Sequence, residues 1–378
     1  MSFNFTPRVL PIVAFVSRER RRLWLLLFVT ALALLATGCD TTRYYRQAIA
    51  GQYQIVARQE KISTLLARTN TPTELREKLE LVLRLREFAE HELHLKTDGH
   101  YAKYADLGRP FVVWNVYAAP EFSVEPKRWW YPVVGKLKYR GFFAEADARA
   151  CAAQLTQEGY DVHVGGVEAY STLGLFKDPV LNTFIHHAPA DLAETLFHEL
   201  AHQRLFASGD TDFNEAFATA VGEEGARRWL AQQGDAAMRA EFEQDLQRQR
   251  QFVALVLKAR DALKKTYDEA MKDETKRAAK QQVITRLHTN YEELKVSWNG
   301  YRGYDRWFQR PINNARLNTV ATYFTLVPAF QQLLAKHGGD LTAFYVEAKA
   351  VASSPKEGRH GKLIAAPNAA RPVAADRR

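Results

Sequence analysis

The feature of this sequence that most constrains its fold is the pentapeptide His198-Glu199-Leu200-Ala201-His202, which has the pattern H-E-x-x-H. The surrounding run LAETLFHELAHQRLF carries apolar residues at helical spacing. On an α-helix, His198 and His202 project from one face because they are four residues apart. Two neutral imidazoles on one face supply half of a tetrahedral zinc site. Glu199 stands beside the first histidine, where its carboxylate can take a proton from water at the metal. The alternative is a surface helix with two solvated histidines.

A carboxylate that could fill a third metal position follows after a break in the chain. Gly209-Asp210 interrupts the first helix, and Glu215 comes 13 residues after His202, at the start of a second predicted helix. A turn between the two helices can return Glu215 to the metal and leave one position open for water. The pattern therefore predicts a Zn²⁺ site made by two consecutive helices.

Two parts of this region resemble a known class of enzymes. The segments HELAH and FNEAFA are similar to those of the glu-zincin metallopeptidases, whose third ligand is the glutamate of an N-E-x-F-A helix. More closely, AYSTLGLFKDPVL, FHELAHQ and GDTDFNEAFATAVGEEG resemble the bacterial predicted aminopeptidases that carry a lipoprotein signal, over most of residues 39 to about 350. The resemblance implies that His198, His202 and Glu215 bind the metal and that Glu199 is the general base.

One departure from the glu-zincin pattern leaves the third ligand open. The linker between His202 and Glu215 is shorter than in the well-known glu-zincin aminopeptidases. Glu223 and Glu224 are therefore rival third ligands.

The first 38 residues predict an export signal. Four arginines within residues 18–22 precede a short apolar run over 23–36, and A-T-G then leads to Cys39. This order is typical of a bacterial lipoprotein signal, and the apolar run is shorter than a membrane-spanning helix needs. We expect a lipidated Cys39 that anchors the protein to the cell envelope, facing the periplasm. Asp40 slightly favours the inner membrane. An uncleaved signal anchor is the alternative.

The composition of the chain is that of a globular protein with a large core. It is 47% hydrophobic and 25% charged, which suffices for one large or two moderate cores. Cys151 is the only other cysteine, so a lipidated Cys39 leaves no internal disulfide to stabilise the fold. The net charge of +9 includes the arginine-rich signal and a basic tail, and no nucleic-acid motif is present. We expect no nucleic-acid partner.

Hydrophobic periodicity predicts an α+β, mostly helical fold, and the resemblance implies a zincin-like metallopeptidase core. We expect an N-terminal helical hairpin over 39–110 and a small α/β unit over 111–180. The zinc-binding helical region is predicted over 181–350. It includes a long helical hairpin at 226–295, whose charged surface is a candidate site for a protein partner. Residues 351–378 are predicted to be a disordered tail.

Other residues are candidates for contacts with a peptide substrate. Residues 169–174 form a candidate edge strand, to which a substrate backbone could add, or an ordinary internal strand. Glu168 could pair with the amino group of a substrate, or be a surface glutamate. Zinc peptidases also need a donor for the tetrahedral oxyanion, and Tyr304 and Tyr323 are the candidates.

The sequence as a whole predicts zinc-dependent peptide hydrolysis by a water activated at the metal. Aminopeptidase specificity follows from the resemblance alone, because the motif does not distinguish an aminopeptidase from an endopeptidase. A second hypothesis is a zinc-stabilised envelope assembly factor, in which a fourth protein ligand would close the metal site. A third is an inactive scaffold that retains the fold.

Overall fold

The computed structural model describes residues 39–131, 135–169, 171–172 and 176–366. The predicted export signal at 1–38 and residues 367–378 lie outside the described residues. The described residues from Gln54 onward belong to one compact unit, and the site described below lies within it. None of the helices in the described residues combines the length and the apolarity that crossing a membrane requires.

The described residues form helices and short strands, with helices in the majority. The helices are α1 (Cys39–Ala57), α2 (Ile62–Ala67), α3 (Thr73–His91), α4 (Glu145–Gln157), α5 (Pro189–Arg204), α6 (Thr211–Gln233), α7 (Ala236–Asp268), α8 (Asp273–Ser297), α9 (Asp305–Phe308), α10 (Asn314–Phe324), α11 (Val327–Lys336), α12 (Leu341–Ala352) and α13 (Lys356–Ala365). The strands are β1 (Gln59–Lys61), β2 (Lys103–Ala105), β3 (Val113–Pro120), β4 (Trp129–Tyr131), β5 (Gly135–Leu137), β6 (Arg140–Phe142), β7 (Tyr160–Val167) and β8 (Val180–Leu181). The α+β, mostly helical class is confirmed.

The segment 39–110 differs from the predicted helical hairpin. Between α1 and α3 the chain forms strand β1, which pairs antiparallel with β2, and the short helix α2. Strand β2 in turn pairs parallel with β8. Ile55, Ile62 and Leu66 keep helical spacing across this break, so the periodicity did not reveal it. The cause is a backbone pairing with a distant strand, which overrides local propensity.

Within 111–180 the chain forms a small α/β unit. Strand β3 is the middle of a three-stranded antiparallel sheet ordered β6-β3-β7, in which Val113 is opposite Val167 and Pro120 is opposite Tyr160. Helices α4 and α10 both pack on this sheet. Every residue of β3 except Pro120 is consequently buried, which explains its nearly continuous apolar sequence.

Helix α6 passes through the main hydrophobic core. It contacts α5 along its length, and α11 and α7 also pack against it. The ring of Phe217 lies 5.6 Å from that of Phe330 and 5.8 Å from that of Phe344. A helix surrounded in this way buries residues on most of its sides rather than along one stripe. Polar groups that α6 does bury therefore require partners or a function.

The long helical hairpin is formed by α7 and α8, which pack against each other and are joined by residues 269–272. Their contact surface is a second hydrophobic cluster that includes Val256, Leu263, Leu287 and Tyr291. The hairpin begins at 236 rather than at the predicted 226. The intervening residues belong to α6, which ends where Gly234 adopts a left-handed conformation with φ 72°.

The prediction of a disordered tail from residue 351 is wrong up to residue 366. Helix α13 is well formed, and its Arg359 and Leu363 are buried. Arg359 Nη1 donates to Asp210 Oδ2 at 2.8 Å, and His360 Nε2 lies 2.9 Å from Asp210 Oδ1. Asp210 is also the N-cap of α6 and accepts from the backbone of Phe213. A long-range ion pair orders this segment, and no local periodicity announces such a contact.

Candidate metal centre

Helices α5 and α6 together carry three potential metal ligands. His198 Nε2 is 3.2 Å from His202 Nε2, and Glu215 Oε2 is 3.5 Å from the first nitrogen and 3.6 Å from the second. Ligands about 2.0–2.1 Å from a tetrahedral zinc are about 3.3–3.4 Å from one another. The donor atoms are therefore spaced as three corners of a zinc tetrahedron. Two imidazoles and a carboxylate are also a donor set that zinc accepts.

Glycines allow the two helices to approach closely at this point. Gly222 lies two turns after Glu215 on the same face of α6. A Cβ atom at position 222 would stand 2.9 Å from the carbonyl oxygen of Glu194 and 3.2 Å from the Cβ of His198. One at Gly225 would stand 2.6 Å from the ring of Phe197. The absence of side chains at these two positions lets α6 bring Glu215 within ligand distance of α5.

The three potential ligands shift one another's pKa values. Burial alone would raise the pKa of Glu215, but His202 and His198 lower it to about 2. Burial lowers the pKa of His198. Burial also acts to lower the pKa of His202, but the negative charge of Glu215 outweighs burial, so the pKa of His202 is raised. Glu215 is thus ionised at any physiological pH, as a metal ligand must be.

Glu199 lies beside the triad in a water-poor position. It is 7% exposed, and its Oε2 has no hydrogen-bond partner among the described residues. Burial raises the pKa of Glu199 to about 8, Glu215 and Asp178 act in the same direction, and His202 opposes them. Tyr101 is buried next to the same carboxylate. A buried acid with a strongly shifted pKa in such a place is a candidate for proton transfer.

Asp178 is a second buried acid whose charge acts on Glu199. It is 4% exposed and accepts hydrogen bonds from the hydroxyl of Thr172 at 2.6 Å and from its backbone N–H at 3.1 Å. Its own backbone N–H donates to Nδ1 of His100 at 3.1 Å. His100 is 1% exposed. This network fixes the chain that leads into β8 close to Glu199.

The rival third ligands have other partners. Glu223 is 2% exposed and accepts a hydrogen bond from Gln331 at 2.7 Å. Glu224 accepts hydrogen bonds from Arg227 at 2.9 Å and from Arg228 at 2.8 Å. Among the described residues, the group able to hold a metal comprises His198, His202 and Glu215, and neither rival is part of it.

The two candidate tyrosines lie in different surroundings. Tyr323, on α10, lies beside the triad, where the negative charge of Glu215 and then burial raise its pKa well above the usual value. Tyr117 of β3 is next to it and has a pKa raised by burial to about 12. Tyr304 instead stacks on Phe252 of the hairpin with ring centres 4.2 Å apart. Its ring is 5.7 Å from that of Trp298, within the second hydrophobic cluster.

The candidate edge strand does not appear in the described part of residues 169–174, where β7 ends at Val167. Residue 170 and residues 173–175 lie outside the described residues. Thr172 is held by Asp178, as above. Glu168 already has a side-chain partner, because its Oε2 is 2.9 Å from Nε2 of His187. A substrate amino group would have to displace this partner.

Several residues around the site were not among those predicted from the sequence. Tyr117 lies in an apolar strand and reaches the site through the pairing of β3. Asp178 precedes a strand of two residues. Gly222 and Gly225 could have been found, since they follow Glu215 by 7 and 10 residues, a spacing that places small residues on the ligand-bearing face of α6.

Comparison with known proteins adds one finding. The family model described as "Putative aminopeptidase" matches residues 43–363. No curated protein and no solved structure matches the chain.

Proposed function

The chain belongs to this aminopeptidase family, and from that premise we propose that it is a zinc-dependent aminopeptidase with a zincin-like core and a peptide substrate. The observation that carries the zinc assignment is the spacing of the three donor atoms, 3.2, 3.5 and 3.6 Å apart. The described residues supply three protein ligands, which leaves the fourth tetrahedral position open, as in catalytic zinc sites and unlike structural ones. This favours the enzyme over an assembly factor with a closed site.

His198, His202 and Glu215 would hold the zinc. When bound, the ion supplies a Lewis acid that polarises a peptide carbonyl and lowers the pKa of a water. The two histidines must be neutral for this, and burial favours the neutral form of His198. Glu215 contributes the negative charge that compensates part of the metal charge in a buried place.

Glu199 would move the protons. Its pKa of about 8 describes the protein without a metal, and positive charge at the triad would lower it. The carboxylate then accepts the proton of the attacking water and donates it to the leaving amine. The unpartnered Oε2 suits this role, since no other side chain among those described competes for it.

Tyr323 would stabilise the oxyanion that forms at the carbonyl. Its raised pKa keeps the phenol protonated, so it can donate a hydrogen bond but not lose its proton. Tyr117 lies behind it and has the same property. Preorganised donors of this kind are a major source of rate enhancement in acyl transfer. Tyr304 has no comparable position, because it lies in the aromatic cluster of the hairpin.

The test of this function is hydrolysis of matched peptides with free and acetylated N-termini. We expect the purified full-length protein to release the first residue of the free peptide only. Chelation should abolish hydrolysis, and added Zn²⁺ should restore it, because the triad alone supplies no Lewis acid. Cleavage of the acetylated peptide at internal bonds would instead establish an endopeptidase. Activity that survives complete zinc removal would refute the metal assignment.

We propose in addition that the mature protein is lipid-anchored at Cys39 and faces the periplasm, with the inner membrane slightly favoured by Asp40. The support is the order of a basic segment, a short apolar run and A-T-G-C in the sequence.

The anchor proposal predicts the behaviour of Cys39→Ser. This variant should accumulate as an unprocessed precursor and take up no labelled fatty acid, because the thiol is the group that is acylated. Cys151→Ser is the matched control and should be processed normally. Processing and labelling of Cys39→Ser like the wild type would contradict the proposal.

A further inference from the structure

The buried arginine of α10 has no acidic partner among the described residues. Arg316 is 3% exposed. Its Nη1 donates to the carbonyl of Pro311 at 3.2 Å, while its Nε has no hydrogen-bond partner in that part of the chain. The guanidinium carbon lies 4.7 Å from the centre of the Trp307 ring. Buried cations are normally paired with a carboxylate, so a charge-assisted bond remains to be made here.

A second arginine adds positive charge at the same place. Arg310 is exposed, and its charge disfavours that of Arg316, whose pKa falls to about 10, chiefly through burial. Burial, followed by the charges of Arg316 and Arg310, lowers the pKa of His163 to about 4. The positive charges of Arg310 and Arg316 repel each other, and an anion bound by both would relieve the repulsion. His163 is therefore neutral and adds no third positive charge to those of the two arginines.

The acidic residue of strand β7, Asp161, is hydrogen-bonded to other partners. Asp161 Oδ2 accepts from Lys280 at 2.6 Å and from the backbone N–H of Asn314 at 2.9 Å. Asn313 Nδ2 donates to the carbonyl of Val162 at 2.9 Å. These bonds fix the first turn of α10 against β7. The arginine is thus held in place by a framework that does not neutralise it.

Helix α10 connects Arg316 with the surroundings of the metal triad. Arg316 and Tyr323 are seven residues apart in α10, which places them on one side of the helix about 10 Å apart. Tyr323 borders Glu215. The ring of His163, next to Arg316, stacks 6.2 Å from that of Tyr117, which borders the triad as well. A distance of about 10 Å is spanned by about three residues of extended peptide.

We propose that Arg316 and Arg310 bind a carboxylate of the peptide substrate, about three residues beyond the bond that is cleaved. The inference rests on the proposed function. In an aminopeptidase a single residue precedes the cleaved bond, so this carboxylate belongs to the leaving peptide. It is either the C-terminal carboxylate of a tetrapeptide or an acidic side chain at the fourth position of a longer peptide. The substrate class is therefore short or acidic peptides.

The test measures binding, so that it does not depend on turnover. Tetra-alanine and its C-terminal amide are titrated calorimetrically into the zinc-loaded full-length Glu199→Gln variant. We expect the free acid to bind about ten- to a hundredfold more tightly, the usual effect of hydrogen bonds to a charged group. A third probe, an amidated pentapeptide with aspartate at position four, distinguishes a side-chain carboxylate from the C-terminal one.

Substitutions in the same background assign the effect to the arginines. Arg316→Gln and Arg310→Gln should each remove most of the preference for the acid and leave binding of the amide unchanged. The exposed Arg302→Gln, in the loop that precedes α9, is the control and should retain the preference. If Arg316→Gln fails to fold, the test rests on the Arg310→Gln variant, because Arg310 is exposed.

Equal binding of acid and amide, or no binding of either, overturns the proposal. So does a preference that both arginine variants retain. Hydrolysis of both peptides at equal kcat/KM by the wild type refutes the carboxylate site but leaves the aminopeptidase assignment intact. A preference for the acid in a protein that hydrolyses no peptide would refute the proposed enzyme activity but support a peptide-binding site.

Discussion

Replacement of Glu199 by glutamine should lower kcat for peptide hydrolysis by at least about a hundredfold, the usual size of a general-base contribution. The amide has nearly the shape of the carboxylate but cannot accept the proton. The side chain is buried and makes no hydrogen bond through Oε2 in the described structure, so we expect little change in folding. Zinc content, measured by metal analysis, should also remain, because Glu199 is not one of the three donors.

The matched control is Glu223→Gln. Glu223 is another buried acid of raised pKa, but it bonds to Gln331 away from the triad, and its loss should leave hydrolysis within a few-fold of the wild type. Equal activity of Glu199→Gln and wild type would mean that another base acts or that a contaminant hydrolyses the peptide. Loss of zinc from Glu199→Gln would mean that this residue is a ligand.

Replacement of Glu215 by alanine should weaken zinc binding by more than the roughly 10–100-fold that loss of an outer hydrogen-bond partner costs. The substitution removes a donor atom and also the negative charge that compensates the metal in a buried site. Titration against a competing chelator measures the affinity. Activity should fall with it, and excess zinc should restore part of that activity only if the two histidines still hold the ion.

Glu224→Ala is the control for this experiment, because Glu224 is the rival ligand that pairs with Arg227 and Arg228 on the same helix. It should keep wild-type zinc affinity. A Glu215→Ala protein that retains full affinity, together with loss of zinc from Glu224→Ala or Glu223→Ala, would move the third ligand along α6.

The grouping of the three candidate metal ligands could be predicted because it depends on local geometry. His198 and His202 share a face in any α-helix, and Glu215 needs only a turn between two helices to reach them. The position of Tyr117 depends instead on the register of β3 with β7. The break in the chain after α1 depends on the pairing of β1 with β2. Such non-local contacts leave no period in the sequence. Tyr304 satisfied the chemical criterion for an oxyanion donor, but its neighbours Phe252 and Trp298 could be known only from the folded hairpin.

The bonds from Arg359 and His360 to Asp210 have a consequence for the order of events in synthesis. Asp210 caps the helix that carries Glu215, and its buried charge is compensated by side chains about 150 residues later in the chain. While the polypeptide emerges from N-terminus to C-terminus, that charge has no counterion. The ligand helix therefore reaches its full stability only after residue 360 has appeared. A chain that stalls before residue 359 therefore holds the three candidate metal ligands less firmly.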